Sequence, residues 1–589
     1  NERRAVMATF ERKYKKFEKV KQPRITSVNN TVDIFPQERK VSFKGNWWLK
    51  NIHSKPIDTI IYNLAETFNI TNKKIDFSIS SKFIVENDFY GFYVLKLNKP
   101  LQAGDSMQLN FSYDVVYKGF ENEVSQTAIV YNGTFFNSSL FPFFGYNAEM
   151  EIADNDERKK EHLPKKARNY AITDSSRYNN PYISNDADWI NFETTVSTVE
   201  NQIAIAPGYI QRQWSSNGRK YFHYKMDAPI LNFYSYLSAE YMIKKSKWND
   251  VAIEIYYQKG HEYNVDRMIL SIQHSLDYFT KNFGPYQHKQ ARIIEFPGYA
   301  SFAQSFPNTI PYSESIGFIL NTNDAKAIDV SYYVTSHEIA HQWWAHQVIG
   351  APVDGMTVFS ETMSQYSALM VMKKHFGKEK MKKFLAYELD EYQSERGRER
   401  EKEQALLFNQ NQPYLHYNKG SVVMYALQDL IGEEKVNKAA KNFIDKYKFK
   451  GPPYPNALDF YGFIKAETPD SLRQMVDDMF IRITVFSNRC VKATASMTKD
   501  KKYLIEVDLD LQKFYADSAG NEKQVALNDW IDIGAVDEND SLLYTTKVKL
   551  SSPTMTYQFV LDKKPYKAGI DPLNQLIDKD GDDNLAKVN

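Results

Sequence analysis

His337-Glu338-Ile339-Ala340-His341 is an H-E-x-x-H run inside a stretch with helical spacing. Residues four apart on a helix lie about 40° apart around the axis and one turn apart along it, so both imidazoles reach a single metal ion. Glu338 lies on the same shoulder, where a carboxylate serves as base for water held by that ion. These residue types in this pattern point to a zinc peptidase site. A catalytic zinc takes three protein ligands and keeps one position open. The third ligand must come from elsewhere, and Glu361 is the best candidate. It stands near the start of the next helical segment, after the turn-rich stretch Ile349-Gly350-Ala351-Pro352-Val353-Asp354-Gly355, which lets the chain reverse. Two neutral imidazoles and one carboxylate leave such a site at net +1, which acidifies water held there.

The bulk of the chain fits an enzyme of several domains. At 589 residues it is long enough for several cores, and its formal net charge of +1 argues against nucleic acid as a partner. The 40 Tyr and 37 Phe fit β-rich regions and aromatic-lined clefts. Cys490 is the single cysteine, which excludes an intrachain disulfide and a Cys-based zinc cluster. No run of apolar residues is long enough for a transmembrane helix, so these residues are expected to be soluble. The chain begins at Asn1 and not Met, which suggests a piece of a longer protein.

Residues 1–22 read as a basic amphipathic helix with Val6, Phe10, Tyr14 and Phe17 on one face. They suit either an anionic lipid surface or packing on the next domain. Residues 23–247 alternate in short strands split by Asn, Asp, Gly, Pro and Ser, the pattern of a large β domain. Within it, the charged stretch 152–172 reads as a surface excursion. From 248 to 486 a few strands mix with strong helical periodicity around the H-E-x-x-H run, which makes this the metal domain. Strands return over 487–575 as a small β-sandwich. Residues 576–589 read as a polar, solvated tail.

His337–Gly350 followed by Ser360-Glu361-Thr362-Met363-Ser364-Gln365-Tyr366 resembles the M1 family of zinc metallopeptidases, the aminopeptidase and leukotriene A4 hydrolase group. That family's pattern is H-E-x-x-H, a Trp-rich continuation, then N-E-G-x-x-x-Y. Trp343 and Trp344 match the continuation, and Tyr366 sets the register of Glu361. The gap before Glu361 is one residue longer than the family's usual spacing, which one inserted loop residue would explain. The resemblance implies His337, His341 and Glu361 as ligands of one Zn2+ per chain, with Glu338 as base. Tyr417-Asn418-Lys419-Gly420 matches a Tyr-x-Lys-Gly element whose tyrosine, here Tyr417, supports the oxyanion. Gln365 is a candidate for hydrogen-bonding a ligand histidine. The implied fold is a multidomain α+β chain: a β-rich saddle, a thermolysin-like zinc peptidase domain and a C-terminal β-sandwich, with no room for the family's C-terminal helical domain.

One part of the family pattern is missing. Its G-x-M-E-N strand carries a Glu that holds the substrate's free α-amine. Alignment on Tyr312-Ser313-Glu314 puts Phe302-Ala303-Gln304-Ser305-Phe306 in that place, with no carboxylate. Gln304, Ser305 and Glu314 are the candidate substrate-binding residues, with Glu295 a further substitute. The implied function is zinc-dependent hydrolysis of peptides, aminopeptidase-like, in which Glu338 assists attack of zinc-bound water on the scissile carbonyl. Two alternatives stand beside it: a peptidase of blocked or internal bonds, and an ectodomain that binds peptides or a transport partner without cleaving them. The chain looks most like the peptidase part of bacterial proteins that fuse an M1 module to an ABC-transporter permease. That implies membrane tethering through segments outside these residues, facing the periplasm or exterior.

Overall fold

The computed structural model describes residues 2–65, 69–117, 120–121, 124–125, 127–321, 328–399 and 402–589. Helix α1 (Glu2–Tyr14) opens the chain and lies against the β domain. Its apolar face buries Phe10 and Tyr14 among Ile61, Phe92 and Val94, with Tyr146 stacked on Phe10 and Tyr90 edge-on to it. No described helix is long and apolar enough to cross a membrane.

Strands β1 (Arg24–Phe35) and β2 (Lys40–Lys50) form an antiparallel pair across the turn Pro36–Glu38. β1 also pairs in parallel with a strand from far along the chain, Ala187–Val199. These strands sit at the centre of an eight-stranded sheet. Alternation drives their inner faces inward: Val28, Val32 and Ile34 of β1, and Val41, Phe43, Trp47 and Leu49 of β2, are buried in one core. The short strand β3 (Thr134–Asn137) belongs to a smaller sheet on the side facing the metal domain.

The stretch 152–172 is mostly exposed, as a surface excursion should be, but it is anchored at Ile152, Arg158 and Ile172, which are buried. Arg158 is buried and clamps Glu11 of α1 through two guanidinium hydrogen bonds of 2.9 and 2.7 Å, while Arg4 reaches Glu157 and Glu161. Ile172 enters the core of the metal domain. Three charges of this stretch, Arg158, Glu157 and Glu161, are matched across an interface with α1.

In the metal domain, β4 (Val251–Tyr257), β5 (Gln290–Phe296) and β6 (Thr309–Ser313) run parallel, with Met242–Trp248 antiparallel at one edge. Residues 302–306 turn back along β6, bridging Ala303 to Tyr312 and Phe306 to Thr309, and finish the other edge. Below the sheet lie α2 (Val265–Phe283), α3 (Val330–Ala340), α4 (Met363–Phe376), α5 (Lys378–Arg396) and α6 (Gly420–Ile431) around one large apolar core.

The C-terminal β-sandwich stacks two four-stranded sheets over a core that includes Leu509, Ile531 and Phe559. Here the polar-tail expectation fails. Leu585–Lys587 forms a strand antiparallel to Lys567–Ile570, and the Asn589 N–H donates to the Ala493 carbonyl at 3.1 Å. The Asp-rich run makes turns: Asp578 accepts from the Asn488 N–H at 3.2 Å and Asp580 from the Asp582 N–H at 3.1 Å, while Ile577 and Val588 are buried.

Burial pushes the carboxyls of Asp571 and Asp578 up to about 6 and about 7. A carboxyl whose folded pKa exceeds its unfolded value of about 3.9 stabilises the fold below that value, and the contribution is lost as pH rises through the folded pKa. These two groups therefore weaken the sandwich between about pH 4 and 7. Asp578→Asn cannot ionise and keeps one acceptor oxygen. At pH 8 it is expected to raise stability over wild type by roughly 2 kcal/mol, with little gain at pH 4.5. Urea unfolding at both pH values tests this, and equal midpoints for the two proteins at pH 8 would refute it.

Candidate metal centre

Helix α3 starts at Asp329, whose side chain accepts from the Tyr332 N–H at 3.0 Å, and delivers the H-E-x-x-H run at its carboxyl end. The chain then turns sharply at Ala345, a non-glycine at φ 140°. The Trp pair fixes this turn. Both indoles are fully buried; Trp343 Nε1 donates to the Gly284 carbonyl and Trp344 Nε1 to Ser367 Oγ, each at 3.0 Å. The motif is thereby pinned to the segment after α2 and to α4.

His337 Nε2 and His341 Nε2 face each other at 3.0 Å. Glu361 Oε2 lies 3.4 Å from the first and 3.3 Å from the second. Zinc bonds of about 2.05 Å set tetrahedral ligands about 3.3 Å apart, so this triangle fits three sites of one zinc. Glu338 also comes within 4.8 Å of both histidines, and proximity alone offers it as a ligand. The near-equal spacing of Glu361 favours Glu361 as the ligand and leaves Glu338 beside the centre. Glu338 Oε2 and Glu361 Oε2 are both buried without a hydrogen-bond partner in the protein. Oxygen atoms in that state suit a cation and a water.

The electrostatics agree. Burial disfavours a proton on His341, yet the adjacent Glu361 charge overcomes it and lifts the imidazole to about 9. Burial pushes Glu361 upward, but His341 and His337 hold it well below the usual carboxylate range. Glu338 goes the other way, raised by burial more than the histidines lower it. One carboxylate is kept charged and the other made more basic.

Glu361 sits in a π-helical turn, Val358–Thr362, leading into α4. The Thr362 N–H donates five residues back to the Thr357 carbonyl at 3.2 Å. A turn closed this way holds one residue more than an α turn, so the helix itself has room for the extra residue of the sequence spacing. A second π turn, Tyr414–Lys419, carries Tyr417, whose ring lies 6.0 Å from that of His337. Thr362 Oγ1 donates to the His416 carbonyl at 2.8 Å, and a Cβ at Gly420 would sit 2.8 Å from the Thr362 side chain. Glycine there lets the two turns touch. Lys419 is buried beside Glu403, 3.4 Å away, and anchors this turn from behind.

The substrate-side expectations fare differently. Ser305 is buried and its hydroxyl is committed: it donates to the Glu338 carbonyl at 2.9 Å and accepts from Gln342 Nε2 at 2.6 Å. It braces α3, and its side chain is not free to meet a substrate. Glu314 is grouped with His261 and Glu295 at the far end of β6, its Oε1 accepting from the Gly298 N–H at 2.7 Å. Glu295 is fully buried. Gln304 alone keeps a polar group at the edge, with Oε1 3.5 Å from Asn137 Nδ2 of β3. Gln365 does not reach a histidine; it accepts from Tyr333 and donates to Ser421 Oγ at 3.1 Å. Its neighbour Ser364 takes that place, with Oγ 3.1 Å from His341 Nδ1, where the Trp344 carbonyl also lies at 3.0 Å.

Tyr182 carries no signal in the sequence. It lies in the segment after 152–172, its N–H donates to the Gly350 carbonyl at 2.8 Å, and its hydroxyl stands beside Ser360 and Glu361. Burial and the Glu361 charge raise its pKa, so the phenol stays protonated.

Glu361→Ala is expected to strip the bound zinc, and Ser364→Ala to weaken it about tenfold. Equilibrium dialysis with metal analysis measures both; full zinc retention in Glu361→Ala would remove Glu361 from the ligand set.

Residues 263–479 match the model of the peptidase family M1 domain. Over 189 residues the chain is 23% identical to a probable aminopeptidase 1 of Sulfurisphaera tokodaii, covering 30% of this chain and 23% of that protein. In fold it is similar to aminopeptidase A of Legionella pneumophila, solved in complex with aspartic acid, at 12% identity and TM-score 0.58, covering 95% of this chain and 60% of that one. It is also similar to an M1 zinc metallopeptidase of Deinococcus radiodurans, at 14% identity and TM-score 0.51, covering 78% of this chain and 94% of that one. The chain thus spans about a quarter of the curated relative's length. Between residues 263 and 479 it carries an M1 family peptidase domain.

Proposed function

We propose that the chain is a zinc-dependent peptidase of the aminopeptidase type, holding one zinc through His337, His341 and Glu361. The observation that carries this is the triangle of two imidazole nitrogens and one carboxylate oxygen, with edges of 3.0 to 3.4 Å, beside an unpartnered Glu338. Zinc held there supplies a Lewis acid that polarises the scissile carbonyl and acidifies water. Glu338, made more basic by burial, accepts the proton of the attacking water and delivers it to the leaving amine. Tyr417 is raised by burial and by Glu361, so its hydroxyl stays protonated and donates to the developing oxyanion. Tyr182, also beside Glu361, offers a second phenolic donor to the same region.

A second reading concerns the substrate's amino end. The edge strand 302–306 carries no carboxylate, Ser305 is turned into the interior, and the polar groups that remain near the edge are the amides of Gln304 and Asn137. An amide can hydrogen-bond an ammonium but cannot neutralise its charge, so acceptance of blocked or internal peptides fits this edge. A non-cleaving ectodomain is the less economical reading, because binding alone needs no base at Glu338. Tethering to a membrane, on its periplasmic or outer side, follows from the resemblance to permease fusions, and the exposed Lys13, Lys16 and Lys19 beside α1 suit an anionic surface.

Glu338→Gln should keep zinc and lose about a thousandfold in kcat, and Tyr417→Phe should lose about a hundredfold with little change in KM. Zinc-loaded wild type that cleaves nothing in a broad peptide library would leave the binding reading standing. Free and N-acetylated forms of one peptide decide the substrate: a preference of less than about tenfold for the free form supports the amide-edge reading, and strict dependence on the free amine refutes it.

A further inference from the structure

His261, Glu295 and Glu314 gather at the carboxyl ends of three adjacent strands, apart from the helix centre. His261 follows β4 by four residues, Glu295 is the penultimate residue of β5, and Glu314 follows β6 directly. The strands are parallel, so these ends open on one side, where ligand groups collect in α/β sheets. One ligand atom from each residue lies within 4.8 Å of the other two. His261 Nδ1 is hydrogen-bonded to Glu295 Oε1 and stands 3.8 Å from Glu314 Oε2.

The remaining oxygens are held from behind. The Gln258 N–H donates to Glu295 Oε2 at 2.6 Å and the Gly298 N–H to Glu314 Oε1 at 2.7 Å. A Cβ at Gly298 would come within 3.0 Å of that Glu314 oxygen, so glycine permits the approach. Each carboxylate is thus oriented by a main-chain donor and turns its other oxygen to the point that His261 Nδ1 faces, as outer-shell bonds orient metal ligands. Two carboxylates face a single imidazole, which leaves net negative charge even when His261 is protonated. Glu295 is fully buried, while the side chains of His261 and Glu314 are 28% and 26% exposed and leave a path from solvent.

We propose that these three residues bind a second divalent cation, of the zinc or manganese class. One imidazole nitrogen with two carboxylate oxygens suits those ions, whereas calcium seeks six to eight oxygens. Binding releases the proton shared between His261 Nδ1 and Glu295, and the ion takes its place between them. Bound there, it ties together the segments leaving β4, β5 and β6, including the stretch 297–301 that leads to Gln304.

Metal-stripped protein titrated with Zn2+ and Mn2+, with bound metal counted after dialysis, tests this. Wild type is expected to take up two equivalents of zinc. His261→Ala and Glu314→Gln should each weaken the second by at least about tenfold and leave the first untouched. Glu361→Ala should lose the first and keep the second, which separates this site from the peptidase reading. A single equivalent in wild type, or a second one indifferent to His261→Ala and Glu314→Gln in variants with a wild-type circular dichroism spectrum, would overturn the proposal and leave an ion pair.

Discussion

Glu361 is a mostly buried carboxylate held against two imidazoles, and the metal domain is arranged to keep that contact. Withdrawing a charge from water is costly unless opposite charge and hydrogen bonds replace the solvent. His341, and His337 after it, supply the compensation, and His341 and Glu361 shift each other toward the charged form. The contact joins the end of α3 to the start of α4, so small displacements of either helix would break it. Buried indoles at Trp343 and Trp344, the brace from Ser305 and Gln342, and the meeting of Thr362 with Gly420 all limit such displacement.

Around that contact, support comes from outside the metal domain as well. Tyr182 arrives from the β domain's long connection and stands beside Ser360 and Glu361. Arg396 bridges Glu403, the partner of Lys419, and Glu522 of the β-sandwich. The turn that carries Tyr417 therefore rests partly on the C-terminal unit. Asn137 of the β domain faces Gln304 across the edge of the sheet. The surroundings of the contact thus come from domains that fold around separate cores.

The order of domains was legible because each carries its own periodicity: strand alternation up to about residue 247, helical spacing around the H-E-x-x-H run, and alternation again past Arg489. The two histidines and Glu338 were legible because four-residue spacing on a helix is itself a geometry. Other features were not. The anchoring of the solvated stretch 152–172 through Arg158 and Glu11 was not, since an ion pair across 147 residues leaves no local trace. The Asp-rich end read as a solvated tail because turn-forming aspartates and solvated ones have the same composition. Ser305 and Gln365 were polar residues near the motif, and only packing tells which polar groups are already spent on the protein's own backbone.

The sequence by itself singled out a candidate metal-binding pair, a candidate base, a candidate third ligand and a candidate oxyanion partner, because these lie in short motifs whose spacing fixes their relation. Tertiary structure alone set Glu361 at near-equal distances from the two histidines, put Ser364 and not Gln365 beside His341, and brought Tyr182 to Ser360 and Glu361. It alone also gathered His261, Glu295 and Glu314, which are separated by 34 and 19 residues (295 − 261 and 314 − 295). The reason is physical. Local spacing survives in one dimension, whereas contacts made by adjacent strand ends and packed helices depend on how the sheet and helices pair, and no motif records that pairing.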